Sequence, residues 1–152
     1  MNDGKRLLRW AAAIMLVLGT GHLVLLTLDS WEDITGWADR GVWAAVPLGL
    51  GDGGDAQTVQ SLQNKLTFWA GPGSFAVPLI LLGLLIWHLA GRGVAVPAVI
   101  GWGLAAWCLL GGILLEPSPF FVGIVAGALV ILAARRNGRP ASATASSAEI
   151  RS

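Results

Sequence analysis

Few side chains in this chain are equipped for chemistry, and their settings are unusual. His22 stands inside the apolar run GTGHLVLLTL, and the only other histidine, His88, follows Trp87 in LLIWHLAGRG. An imidazole in hydrocarbon needs a hydrogen-bond partner or bears a desolvation cost, so His22 is the first residue to account for. On a helix starting near Leu7 it lies roughly 22 Å along the axis, whereas His88 is about 3 Å from the end of a span running the other way. The two rings are thus about 20 Å apart in depth and cannot hold one metal ion. Matching depths instead brings Ser74, Trp107 and Glu116 to the level of His22, four residues suited to lining a pocket for a small apolar ligand. A His22 to Glu116 contact, direct or through water, would couple the two; the plainer alternative has His22 donating to a backbone carbonyl or to Ser74.

Other chemistries find no residues to carry them. The sequence has no HExxH, no CxxC, no paired-histidine box, no Gly-rich Lys-Ser/Thr phosphate loop and no nucleophile elbow, so no catalytic residue, cofactor or metal ligand is assigned. Enzymatic activity is left as the weaker reading. Buried acids or bases for a proton relay are missing from the inner halves of the spans, which argues against an ion pump. A basic stripe with interleaved aromatics is missing, so no nucleic-acid partner is expected. Cys108 is the single cysteine and has no partner for an intrachain disulfide.

The elements that must position these residues follow from composition. Of 152 residues, 55% are hydrophobic and 12% charged, with a mean hydropathy of +0.68; so few charges cannot coat a soluble globule of this length. Eight Trp without Tyr, 21 Gly and 7 Pro also suit a membrane protein. Apolar segments long enough to span run from about 7 to 28, 66 to 90, 94 to 115 and 117 to 134. The first has a basic start but no small-x-small cleavage site, and reads as a retained anchor. Lys5, Arg6, Arg9, Arg92, Arg135, Arg136, Arg139 and Arg151 fall on one side and only Arg40 and Lys65 on the other. That asymmetry places both termini in the cytoplasm, with the protein in a bacterial plasma membrane.

The expected fold is all-α: a four-transmembrane-helix bundle, up-down-up-down, forming one domain over residues 1–134. Its outer loop, residues 29–65, sets Trp31, Trp37 and Trp43 among acids and calls for an amphipathic, interfacial helical segment. Val59, Leu62, Leu66 and Trp69 then recur at helical spacing toward the second span, with Asp55 as an N-cap. The Gly71-Pro72-Gly73 triplet kinks or interrupts that junction. Residues 135–152 are small and polar and are expected to be a disordered tail.

Packing has the clearest signature. Gly101, Ala105, Cys108 and Gly112 recur at helical spacing in the third span, and Gly123 and Gly127 form a GxxxG in the fourth. Small stripes let helix backbones approach closely where no hydrophobic effect drives association, so these seal the bundle or form a seam for a homodimer or membrane-protein partner.

GTGHLVLL in the first span, LTFWAGPGSFAVPLILLGLLIWH in the second, VPAVIGWGLAAW in the third and EPSPFFVGIVAGALVIL at the end resemble an uncharacterised family of small bacterial four-helix membrane proteins. The resemblance covers roughly Arg9 to Arg135 and rests on hydropathy and on Gly19, His22, Phe68, Trp69, Gly83, Trp102 and Pro119. More loosely the chain is similar to DoxX-like membrane proteins. The likeness implies topology and no substrate. The leading expectation is a non-enzymatic structural or accessory membrane protein that meets lipids or a partner; the alternative is a protein that binds or transports a small apolar ligand, and more remotely a quinone- or lipid-modifying enzyme.

Overall fold

The computed structural model describes residues 3–40, 66–114 and 119–138, and every regular element among them is helical. The helices are α1 (Asp3–Asp29), α2 (Trp31–Arg40), α3 (Ala76–Arg92), α4 (Ala98–Leu114) and α5 (Phe120–Asn137), with a short helical segment at residues 66–70. Trp43, Asp55, Val59, Leu62, Glu116 and the tail beyond residue 138 lie outside the described residues.

Helix boundaries follow local chemistry. α1 contains no proline and runs for 27 residues, about 40 Å. Only Ser30 separates it from α2, and the Ser30 amide still donates to Leu26 O at 2.9 Å. α2 is amphipathic, a helical segment where the sequence calls for one.

The second apolar segment is divided: its long helix begins at Ala76, ten residues after the expected start at 66. Pro72 has no amide hydrogen to offer a continuing helix. The chain instead closes the first piece with Gly73 N–H to Phe68 O at 2.9 Å and turns through Ser74 N–H to Gly71 O at 2.9 Å. Pro78 is harmless in the first turn of α3, where amides have no intrahelical acceptor.

α3 ends in a Schellman motif. Gly93 adopts φ +72°, Val94 N–H donates to Leu89 O at 3.0 Å and Gly93 N–H to Ala90 O at 3.3 Å. A left-handed residue at this position lets two end-of-helix carbonyls, those of Leu89 and Ala90, find donors, and glycine takes that conformation without a Cβ penalty. Residues 94–97 then carry no regular structure, in keeping with the bias of a residue before proline away from helix. α4 begins at Ala98, four residues later than the sequence suggests.

α1 and α5 are long and apolar enough to cross a membrane; α3 and α4, also apolar, have 17 residues each, about 25 Å of helix. The chain divides into two compact units, one of residues 1–15 and 82–152 and the other of residues 16–81. In the first, the core comprises Leu8, Ala11, Ala12, Met15, Ile86, Leu104, Cys108, Val130 and neighbours. In the second, Gly19 of α1 lets the start of α3 come close: a Cβ there would stand 2.6 Å from Ile80 Cγ1 and 2.9 Å from Ala76 O.

Candidate functional site

Three groups of residues carry the functional argument: His22 and its surroundings, the glycine seam, and the basic end of the molecule.

His22 Nε2 lies 2.9 Å from Ala70 O. A carbonyl can only accept, so Nε2 bears the hydrogen and donates it. The acceptor is available because Ala70 is the last residue of the short helical segment, ahead of the Gly-Pro-Gly turn, where carbonyls run out of intrahelical donors. A backbone carbonyl was the plainer of the two partners the sequence offered for His22, and it is the one observed; that it belongs to Ala70 was marked in the sequence only by the Pro72 break. Ser74 Oγ accepts from Ala76 N–H at 3.2 Å, serving an amide left over at the start of α3. Phe68 and Trp69 pack edge to face at 5.3 Å between centroids and 82° between planes beside this turn. His22, Ser74 and the turn all belong to the unit of residues 16–81, whereas Trp107, exposed on α4, belongs to the other. The His22 to Glu116 contact falls outside the described residues. His88 is exposed on α3, and no group of three or more metal-ligating side chains occurs among the described residues.

The glycine seam joins α4 to α5. Gly101, Cys108 and Gly112 are buried on one side, and Gly123, Ala126, Gly127 and Val130 on the other. A Cβ on Gly101 would stand 2.6 Å from Gly127 O, and one on Gly127 would stand 2.7 Å from Gly101 O and 2.9 Å from Ala105 Cβ. Cys108 Sγ occupies the space a Cβ on Gly123 would need. Backbones at such a distance have room for hydrogen atoms and nothing larger. Across this one helix pair Gly101 meets Gly127 and Ile131, Gly127 meets Gly101 and Ala105, and Gly123 meets Cys108.

The basic end gathers three chain segments. Lys5 Nζ donates to Gly91 O at 3.3 Å, and Arg9 Cζ sits 5.8 Å from the Trp87 ring centroid, within cation–π range. Asp3 pairs with Arg136 at 3.4 Å, and the Asn137 carboxamide fills the space above Gly4. The start of α1, the end of α3 and the end of α5 thus meet, which are three of the segments that the distribution of basic residues assigns to one side. Sequence reading missed these pairs, which share one antiparallel register, 5 with 91 and 9 with 87, that only the packed helices reveal.

Together these features define a protein whose described residues are all-α, with apolar helices, two of them of membrane-crossing length, and glycine-mediated helix packing. The chain belongs to a family of unknown function, DUF6463, which it matches over residues 6–137. No curated protein and no solved structure matches it.

Proposed function

We propose that this is a multi-pass integral protein of a bacterial plasma membrane, with α1, α3, α4 and α5 embedded, both termini in the cytoplasm and α2 at the outer interface. Its part is structural or accessory, exercised through contacts with lipid or a membrane partner rather than through catalysis.

The observation that carries this reading is the inverted distribution of side-chain size. Leu104 of α4 and Val130 and Ile131 of α5 are buried, but the rest of each buried face is small, with Gly101, Cys108 and Gly112 on α4 and Gly123, Ala126, Gly127 and Ala133 on α5. Against these, Val99 is 69% exposed, Ile113 65% and Leu114 70%, and Phe121, Val122 and Val125 are also exposed. In water the large aliphatic side chains would turn inward, since each contributes about 1.5–3 kcal/mol on full burial. In lipid nothing drives them in, and close backbone contact decides the interface. The 17-residue helices α3 and α4 fall within the range of about 17–25 residues for a span, with apolar residues flanking each. Support for a structural part comes from where the polar groups go: His22 to a carbonyl, Ser74 to an amide, and Thr27 Oγ1 to Leu23 O at 2.7 Å.

Carbonate extraction of cell membranes combined with reporter fusions tests the reading. The protein is expected to stay in the carbonate-resistant pellet, with a C-terminal fluorescent fusion bright and a phosphatase fused at Leu50 active. A carbonate-soluble protein, or an active phosphatase at the C-terminus, would sink it.

A further inference from the structure

The end of the molecule where α1, α3 and α5 meet contains a cavity of about 430 Å³, lined by Lys5, Leu8, Ala90, Val94, Ala95 and Asn137 among others. That volume suits a small ligand. Its lining has two characters. Lys5 and Asn137 supply an ammonium and a carboxamide, and no carboxylate of the described residues borders the space; Leu8, Ala90, Val94 and Ala95 supply an apolar wall. Lys5 spends one donor on the neutral Gly91 carbonyl at 3.3 Å and forms no ion pair with any described residue. One turn further along α1, Arg9 lies over Trp87 with its Nε buried and without an acceptor. The α1–α3 seam therefore carries two cations at i and i+4 with no anion to match among the described residues, which elsewhere pair Arg136 with Asp3. Arg6, Arg92 and Arg135 stand exposed within two residues of the lining.

We propose that this cavity binds the phosphate-bearing headgroup of an anionic phospholipid, with Lys5 as the charged donor, Asn137 as a neutral one and the Leu8–Val94 side against the glycerol and upper acyl carbons. An amphipathic cavity on the basic side of apolar helices matches both halves of such a lipid, whereas free phosphate would have no use for the apolar wall. The inference rests on the membrane reading above.

The test uses the full chain purified in dodecyl maltoside and native mass spectrometry, with phosphatidylglycerol or phosphatidylcholine added to the micelles. Phosphatidylglycerol is expected to be retained and phosphatidylcholine not. Lys5→Gln should weaken retention about fivefold, the equivalent of one cation near a lipid phosphate, while Arg6→Gln, equal in charge but outside the lining, should leave it within twofold. Ala95→Trp, which fills the cavity and keeps every charge, should abolish retention, and it decides the matter should Lys5→Gln fail to fold. Equal retention of the two lipids, equal losses in Lys5→Gln and Arg6→Gln, or full retention in Ala95→Trp overturns the proposal. So does displacement of phosphatidylglycerol by inorganic phosphate, which would make the ligand a free anion. Carbonate extraction keeps the two failures apart: an extractable protein refutes the membrane reading, and an embedded protein indifferent to headgroup refutes only the lipid site.

Discussion

An imidazole that donates to a carbonyl 2.9 Å away is a joint between two pieces of chain. His22→Ala should lower unfolding free energy by about 0.6–1.7 kcal/mol, the range of interhelical hydrogen bonds in membrane proteins. His22→Gln, which keeps a donor, should recover part of the loss; unfolding in mixed micelles of increasing SDS content reads both. If the alanine variant unfolds at the wild-type midpoint, the bond contributes nothing. The residue's importance was legible from its setting, because polar side chains in apolar runs are costly. Its partner was not, because every residue owns a carbonyl and only the interruption at Pro72 frees this one. Ser74 was legible as a polar group near the same depth, but its contact with Ala76 N–H is a local turn bond, of a kind that depth matching does not reveal.

The glycines distinguish themselves by what surrounds them. Gly101 and Gly103 are two residues apart in α4, yet a Cβ on Gly101 would meet Gly127 O at 2.6 Å and one on Gly103 would meet nothing within 4 Å. Gly101→Ala should therefore destabilise by about 1–3 kcal/mol, as overpacking does, whereas Gly103→Ala should be neutral or gain up to about 1 kcal/mol of helix propensity. A pair of thermal unfolding curves in detergent checks this; coincident shifts would refute the seam. Gly93 makes a different case, since its φ of +72° and not its neighbours sets the cost: Gly93→Ala should lose about 1–2 kcal/mol. The small-residue stripe was legible because its spacing is a property of sequence. The true start of α3 was harder, because hydropathy runs unbroken through Leu66 to Phe75 and only the backbone donor missing at Pro72 divides it.

Over the whole molecule, positive charge is the organising quantity, though single surface pairs contribute little to stability. The Asp3–Arg136 pair is 3.4 Å long with both side chains more than half exposed, so Asp3→Asn should shift the unfolding midpoint by the equivalent of less than about 0.5 kcal/mol. A larger loss would mean that this contact fastens the end of α5. The grouping of basic segments was legible from their alternation with apolar runs. Their contacts were not, since Lys5 with Gly91 and Arg9 with Trp87 depend on the register of two helices more than seventy residues apart.

That register has a consequence for how the chain is made. The first turn of α1 finds Arg136 and Asn137, residues of the last turn of α5, so these neighbours leave the ribosome long after it, 133 residues later in the case of Arg136 and Asp3. Until then Asp3 and Gly4 wait without them, and this end of α1 gains its contacts only once α5 has been made. A protein shortened after Ala134 would keep most of α5 but lack the turn that carries Arg136 and Asn137, and it should be degraded faster in pulse-chase labelling than one shortened after Gly138.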